Sequence, residues 1–433
     1  MSATTAQHQQ RRGPRVNHAM IALRDLCYTI FAIVALPIWL PRMIWTGKVR
    51  TDWPARLGRG APIARTARPR VLIHAVSVGE VNAIRGLVDR LARDRMAPEI
   101  IVSVSTDTGI ARARALFAAN HTVVRTPFDF SFAVRSWLDR TKPDLLVLVE
   151  LELWPNMVHL ANARGIPVAV VNGRLSDRSF RRYLKVRGIV RGMFAGADIV
   201  LAQNAAIAAR FTELGAGEVL VTGNMKWDSI SITDSVPGSD KLREDFGIPA
   251  GVPLVVAGST EPGEEALLRD ALPAGARLLI APRKPEWFDG VAANLPGCVR
   301  RSKSERGGAD TRYYLLDTIG ELRMAYALAD AIVMGRSFGK LYGSDPIEPA
   351  SLGKPVVIGP RVADFRDVVE AFVRGGGIRQ VGAPELASTL AELLSDAGTR
   401  STLVRNARAV IRAEQGGSAR TAEVLLAMLA SRA

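Results

Sequence analysis

Cysteine is nearly missing: Cys27 and Cys298 are the two in 433 residues. A single pair builds no disulfide framework, and the scarcity fits a reducing compartment. The five histidines are scattered, so no cluster with zinc-site spacing arises. No Asp-x-Asp triplet occurs, and no tightly held catalytic metal is expected. Low-complexity tracts are missing too. At 48% hydrophobic and 23% charged residues the composition is globular. Acidic side chains are in deficit, 42 against 57 basic, for a net charge of +15. That balance points to anionic partners: nucleic acid, anionic lipid or a phosphorylated substrate. Nucleic acid is the weakest of these, because the basic residues are dispersed and accompany no zinc-finger or RNP-type pattern.

Long uncharged runs are also rare, with one prominent exception. Residues 26–40, "LCYTIFAIVALPIWL", are 15 uncharged residues bounded by Arg24-Asp25 and Pro41-Arg42. The run is shorter than the roughly 20 residues that cross a bilayer squarely. No small-x-small cleavage site follows, which disfavours a signal peptide. A membrane anchor, spanning or shallowly inserted, is favoured over a buried core helix, with Trp39 and Trp45 as interfacial rings. Arg11, Arg12 and Arg15 precede the run, and Arg42, Lys48 and Arg50 follow it. Basic residues on both sides leave orientation open and suit a monotopic contact with anionic headgroups.

Length alone predicts two domains of roughly 200 residues. From residue 70 onward, apolar strand-like runs alternate with amphipathic helical stretches: 71–76, 100–105, 144–150, 167–172, 199–203 and 219–223. Consecutive Val and Ile residues are what a strand covered on both faces requires. The polar stretch 229–240, with Pro237 and Gly238, predicts a linker. The rhythm restarts at 253–259, 277–283, 331–335 and 354–359, and the chain ends in helix. The pattern predicts two doubly wound α/β domains, with ligands at the carboxyl ends of both sheets and a site in the cleft between them. The domains expected are a membrane-associated segment over 1–50, a first Rossmann-like domain over 51–228, the linker, and a second Rossmann-like domain over 241–433.

Several strand ends carry groups capable of chemistry. Glu80, in "HAVSVGEVNA", falls in the first turn of a predicted helix, where the helix dipole stabilises an anion. It either accepts a proton from an attacking hydroxyl or merely satisfies first-turn amides. "LVLVELELWPN" brings Glu150 and Glu152 to one side of a strand end, where acids line a cleft or pair with bases. Arg174, Asp177 and Arg178 follow the next strand, and Lys226 and Asp228 precede the linker. For these, a structural ion-pair network is the alternative. In the second half, "AGSTEPGEE" offers a turn whose amides and hydroxyls suit a phosphate, and Arg283 and Lys284 sit at another strand end. Glu348 opens a helix after a glycine-rich loop, where an acid suits a ribose diol.

The order "HAVSVGE", "ELELWPN", "NGRLSDRSF", "GNMKWD", "AGSTEPGEE", "APRKPE", "DTIGEL", "DPIEPASLGKPVVIGP" resembles the 3-deoxy-D-manno-octulosonic acid (Kdo) transferases over nearly the whole chain. The resemblance implies a GT-B fold with an N-terminal membrane-associated helix. It also implies inverting transfer of Kdo from CMP-Kdo to a lipid A precursor, in lipopolysaccharide synthesis at the cytoplasmic face of the inner membrane. Glu80 would be the general base, with Glu150 and Lys226 assisting the transition state. CMP would be held by Pro282 and Arg283, by the turn Ile319, Gly320 and Glu321, and by Asp345, Pro346, Ile347 and Glu348. No metal or other cofactor is implied.

The chain departs from the family pattern where Tyr342, Gly343, Ser344 and Asp345 replace Gly-Gly-His-Asn. Glu261 and Arg361 each stand in place of a histidine, and Asp364 replaces an asparagine. Asp345 adds negative charge near the expected phosphate, and Arg336, Lys340, Lys284 and Arg361 are candidates to offset it. Two other readings compete: a GT-B enzyme using another nucleotide sugar, and a catalytically silent nucleotide- or lipid-binding scaffold.

Overall fold

The computed structural model describes residues 18–45 and 51–431. Arg11, Arg12, Arg15, Lys48 and Arg50, counted above as flanking charges, lie outside the described residues. The chain divides into two compact units, the first running to Ser229 and resuming at Gln415, the second spanning Ile230–Glu414.

The first unit is built on seven parallel strands: β1 (Arg70–Ala75), β2 (Glu99–Val104), β3 (Thr122–Arg125), β4 (Leu145–Val149), β5 (Val168–Gly173), β6 (Ile199–Ala202) and β7 (Glu218–Val221). Their order is β3-β2-β1-β4-β5-β6-β7. The central strands β1, β4 and β5 are buried at every position, as unbroken Val/Leu runs demand when helices cover both faces. Odd and even positions feed two separate cores. Val71, Ile73, Val147 and Val149 pack on one face, and Leu72, Leu146, Leu148 and Trp137 on the other. The strand order reverses between β1 and β4, so the crevice that binds ligands in such sheets opens beside the loops after these two strands.

The second unit repeats the plan with β8 (Leu254–Thr260), β9 (Arg277–Pro282), β10 (Val299–Arg300), β11 (Tyr313–Leu315), β12 (Ala331–Met334), β13 (Val356–Ile358) and β14 (Arg379–Gln380). Their order is β10-β11-β9-β8-β12-β13-β14, again all parallel. The reversal here lies between β8 and β12.

Two features differ from the sequence expectation. Strands β3, β10, β11 and β14, of two to four residues each, add to the expected set. The final helix, Gly417–Ala430, belongs to the first unit rather than to a domain spanning 241–433. Asp228 fixes it there by accepting hydrogen bonds from the backbone N–H groups of Gly416 (2.6 Å) and Ser418 (2.5 Å). Ala422, Leu425 and Leu429 bury its apolar side in the core beside β1. Asp228 is thus a helix cap, not a strand-end acid facing substrate.

The apolar N-terminal run forms one helix, His18–Trp45, 28 residues long despite Pro37 and Pro41. It is long and apolar enough to cross a membrane. Its first turns are tied to the first unit. Arg24 donates to the carbonyl of Pro155 (3.2 Å), Asp25 accepts from the amide and hydroxyl of Ser131 (3.0 and 2.6 Å), and the Tyr28 hydroxyl donates to Asp129 (2.9 Å). Beyond that joint the apolar side chains are uncovered, with Phe31, Val34 and Ile38 all more than 70% exposed. A core helix would bury them, so the core alternative is set aside.

Candidate active site

In the first unit the loops after β1 and β4 bring three carboxylates together. After β1 the chain breaks at Ser77, whose extended backbone makes it the N-cap of the helix Val78–Ala83. The Ser77 hydroxyl accepts from the Glu80 amide (3.3 Å) and donates to Glu80 Oε1 (2.8 Å). Glu80 Oε2 reaches back to the Val76 N–H (2.8 Å). This is a variant of the Ser-x-x-Glu capping box, turned by one residue toward the strand. Glu80 is only 8% exposed. Burial pushes its carboxyl above the ordinary range, the two hydrogen bonds pull it back, and the charge of Glu150 adds to the rise. Burial, not the helix dipole, therefore has the larger hand in its acidity.

Glu150 follows β4 directly. Its amide continues the ladder by donating to Val171 O (2.9 Å), while its φ of 59° turns the chain into the left-handed region. For a residue with a Cβ that conformation costs on the order of 1–3 kcal/mol and tends to mark functional turns. Glu150 Oε1 lies 3.7 Å from Lys226 Nζ. Lys226 rides on the short 3-10 helix Met225–Ser229, which is held by Asn172 Oδ1 accepting the Met225 N–H (3.0 Å). Glu152 is the third acid. Burial pushes it from 4.5 to about 7, the charges of Glu80 and then Glu150 adding to the rise, while the Trp154 indole N–H (2.8 Å) favours the ionised form. Three carboxylates and one ammonium thus share the reversal point of the first sheet. Burial raises two of these carboxyls, Glu80 and Glu152, beside the Glu150–Lys226 pair, which makes the group a candidate for proton transfer.

The next turn, Trp154-Pro155-Asn156, leads into the N-terminal helix joint. Asn156 donates from its backbone N–H to Asp129 (2.9 Å), and its side-chain amide donates to Asp25 (3.0 Å). Hydrogen bonds therefore run from the apolar helix to the segment that carries Glu152. Asp177 is an ion-pair residue, 2.5 Å from Arg210.

In the second unit, carboxylates of the chain itself take two amides of the turn after β8, with Glu264 accepting from Glu261 and Glu265 from Gly263 (2.8 Å). Glu264, nearly buried, accepts backbone N–H groups from Glu261 (3.0 Å), Arg336 (2.7 Å), Ser337 (3.0 Å) and Phe338 (3.0 Å). Glu261 takes the Leu341 N–H (3.0 Å). Carboxylates of the chain itself thus shape the loop after β12, with Arg336 in the left-handed region. Two hydroxyls of these loops, Thr260 Oγ1 and Ser344 Oγ, are buried and have no partner among the described residues. A buried hydroxyl without a partner is costly, and a ligand oxygen would satisfy it.

The expected nucleotide-binding residues come partly together. Pro282 ends β9, and Arg283, exposed, is pinned by its N–H to Thr260 O (3.0 Å) across a register shift. Glu348 accepts from Arg323 (3.1 Å), and Asp345 Oδ1 accepts the Ile347 N–H (3.0 Å) after Pro346. The Tyr326 hydroxyl feels Glu348, Asp345 and Arg283 together; burial first, then the two acids, raise its pKa. Ile319 and Gly320 form an exposed turn with Gly320 at φ 101°. Glu321 is already engaged: Arg301 (2.8 Å) and the Thr318 hydroxyl bind its carboxylate and hold its pKa low. Its contribution is to shape the turn. Of the cations expected to offset Asp345, Arg336 lies 3.8 Å from Asp364 and Lys284 lies 3.5 Å from Glu286.

A family model described as 3-deoxy-D-manno-octulosonic-acid transferase (kdotransferase) matches residues 51–229. Over 427 residues the chain is 33% identical to a 3-deoxy-D-manno-octulosonic acid transferase of Bordetella pertussis, covering 94% of this chain and 97% of that one. A protein of the same name from Haemophilus influenzae is 30% identical, over 82% of this chain and 86% of its own. Among solved structures, a glycosyltransferase from Rickettsia africae matches with a TM-score of 0.61 at 13% identity, over 84% of this chain and 99% of that one. That last likeness is one of fold, and it identifies the two-sheet arrangement as GT-B.

Proposed function

Because the chain belongs to the Kdo transferase family, it is a glycosyltransferase, and we propose that it moves Kdo from CMP-Kdo onto a lipid A precursor with inversion. Glu80 takes the proton of the attacking sugar hydroxyl as that oxygen bonds to the anomeric carbon. The bond from that carbon to the CMP phosphate oxygen breaks, and its electron pair leaves with CMP. Glu150 and Lys226 assist: the ammonium 3.7 Å from Glu150 supplies positive charge as negative charge develops. On the second unit, Arg283 meets the phosphate, and Pro282, Ile319 and Gly320 pack against the nucleotide. The Asp345–Glu348 turn receives the ribose, with Glu348 as acceptor for its hydroxyls. The exposed apolar helix keeps the enzyme at the cytoplasmic face of the inner membrane, where its lipid acceptor resides.

One observation carries this reading: Glu80, Glu150 and Lys226, which the family pattern singles out, stand together at the reversal point of the first sheet. The test of the donor is a titration of the full-length protein with CMP and with UDP. CMP should bind the more tightly; a preference for UDP would transfer the chain to another nucleotide-sugar chemistry.

A further inference from the structure

Beside the Asp345–Glu348 turn, the second unit contains a hollow of about 340 Å³ at the carboxyl edge of β13 and β14, walled by Tyr342, Arg361, Arg366, Glu370 and Gln380. Two guanidiniums against one carboxylate bias it toward an anion. Arg361 is oriented there. Its backbone N–H donates to Ser337 O (3.0 Å), and its guanidinium carbon lies 5.9 Å from the centre of the Tyr342 ring. Its Nε and Nη2 make long contacts of 3.4 Å to the carbonyls of Leu341 and Lys340. A planar guanidinium held from one side in this way suits a two-pronged acceptor such as a carboxylate. The hollow and the nucleotide turn share one loop. Gly343 donates to Arg336 O (2.7 Å) and Gly359 to the Ser337 hydroxyl (2.8 Å), so the segments after β12 and β13 form one piece.

We propose that this hollow receives the carboxylate of the donor's sugar acid, and that Arg361 is the residue that separates a sugar acid from a neutral sugar. The proposal rests on reading the donor as CMP-Kdo, whose sugar carries a carboxylate that CMP alone lacks. Arg361 would touch that carboxylate directly, with Arg366 and Gln380 lining the far wall. Glu370 on the rim disfavours an anion placed away from the two arginines.

Calorimetric titration of the full-length protein with CMP and with CMP-Kdo tests this, using Arg361→Gln and Arg361→Lys. Arg361→Gln should weaken CMP-Kdo binding by roughly 10–100-fold, the loss expected for a charge-assisted hydrogen-bonded pair. It should leave CMP affinity and the melting temperature unchanged, and Arg361→Lys should recover part of the loss. Equal weakening of CMP and CMP-Kdo, or no effect on either, would overturn the assignment. A raised KM for the lipid acceptor with donor affinity intact would also overturn it, by assigning Arg361 to the acceptor's phosphate. Failure of the unaltered protein to bind CMP would remove the donor reading itself, and this subsite with it. That result is read before any substitution is made.

Discussion

Replacing Glu80 with glutamine separates catalysis from folding at this site. The carboxylate has two local donors, the Val76 N–H and the Ser77 hydroxyl, both at 2.8 Å. In Glu80→Gln the amide oxygen can keep the Val76 bond. The amide nitrogen can donate to Ser77 Oγ, which already acts as an acceptor toward the Glu80 N–H. No buried group is stranded, so the stability change should stay within about 1 kcal/mol. The amide has no basicity, however, and loss of a general base lowers turnover by roughly 10²–10⁴, or about 3–5 kcal/mol of barrier. In the wild type, turnover should rise with pH through a carboxyl titrating above the ordinary range, the direction that burial imposes on Glu80. In Glu80→Gln that rise should vanish from the residual rate. Turnover measured across pH beside a melting curve reads both effects. A variant that keeps its stability and works within about threefold of wild type, far short of a base's contribution, would refute the assignment of Glu80 as base.

Glu152→Gln tests the third acid. Because its folded pKa, about 7, lies above the ordinary 4.5, the folded state holds a proton that the unfolded state releases, and stability falls as pH rises between those values. The variant should therefore melt higher than wild type at pH 8 and like it near pH 4, as read by calorimetry. The left-handed φ of Glu150 predicts that Glu150→Val is less stable than Glu150→Gly by about 1–2 kcal/mol, although both lose turnover; urea denaturation measures the gap. Removing residues through Trp45 should release the protein from anionic vesicles in a flotation assay, since the exposed apolar side chains between Phe31 and Trp45 go with it.

Much of this architecture is legible in the amino-acid sequence itself. The Val/Leu runs of β1, β4 and β5 announce strands buried on both faces, the motifs after β1 and β4 lead to Glu80 and Glu150, and the motif after β7 leads to Lys226. The edge strands β3 and β14 escape a pattern reading because an edge needs neither length nor an apolar run. Glu152 is visible as one of two acids on a strand end, but its elevated pKa comes from burial and from neighbours 72 and 2 residues away in sequence, Glu80 and Glu150. Other features depend on pairings that no local pattern encodes. Asp228 caps a helix 188 residues later, Glu264 collects amides from 72 to 74 residues away, and Asn156 meets Asp25 across 131 residues. Glu264 is an example within one motif: the sequence shows an acid at a helix start, and only the fold reveals that it gathers the amides of the loop after β12.

The central claim is transfer of a sugar acid from its CMP donor to a lipid acceptor. The most direct measurement incubates the full-length protein with CMP-Kdo and a tetraacylated lipid A precursor and reads the products by mass. The acceptor should become heavier by one or more Kdo residues, with CMP released in step. An unmodified acceptor, or a product formed equally well from a neutral UDP-sugar, would contradict it.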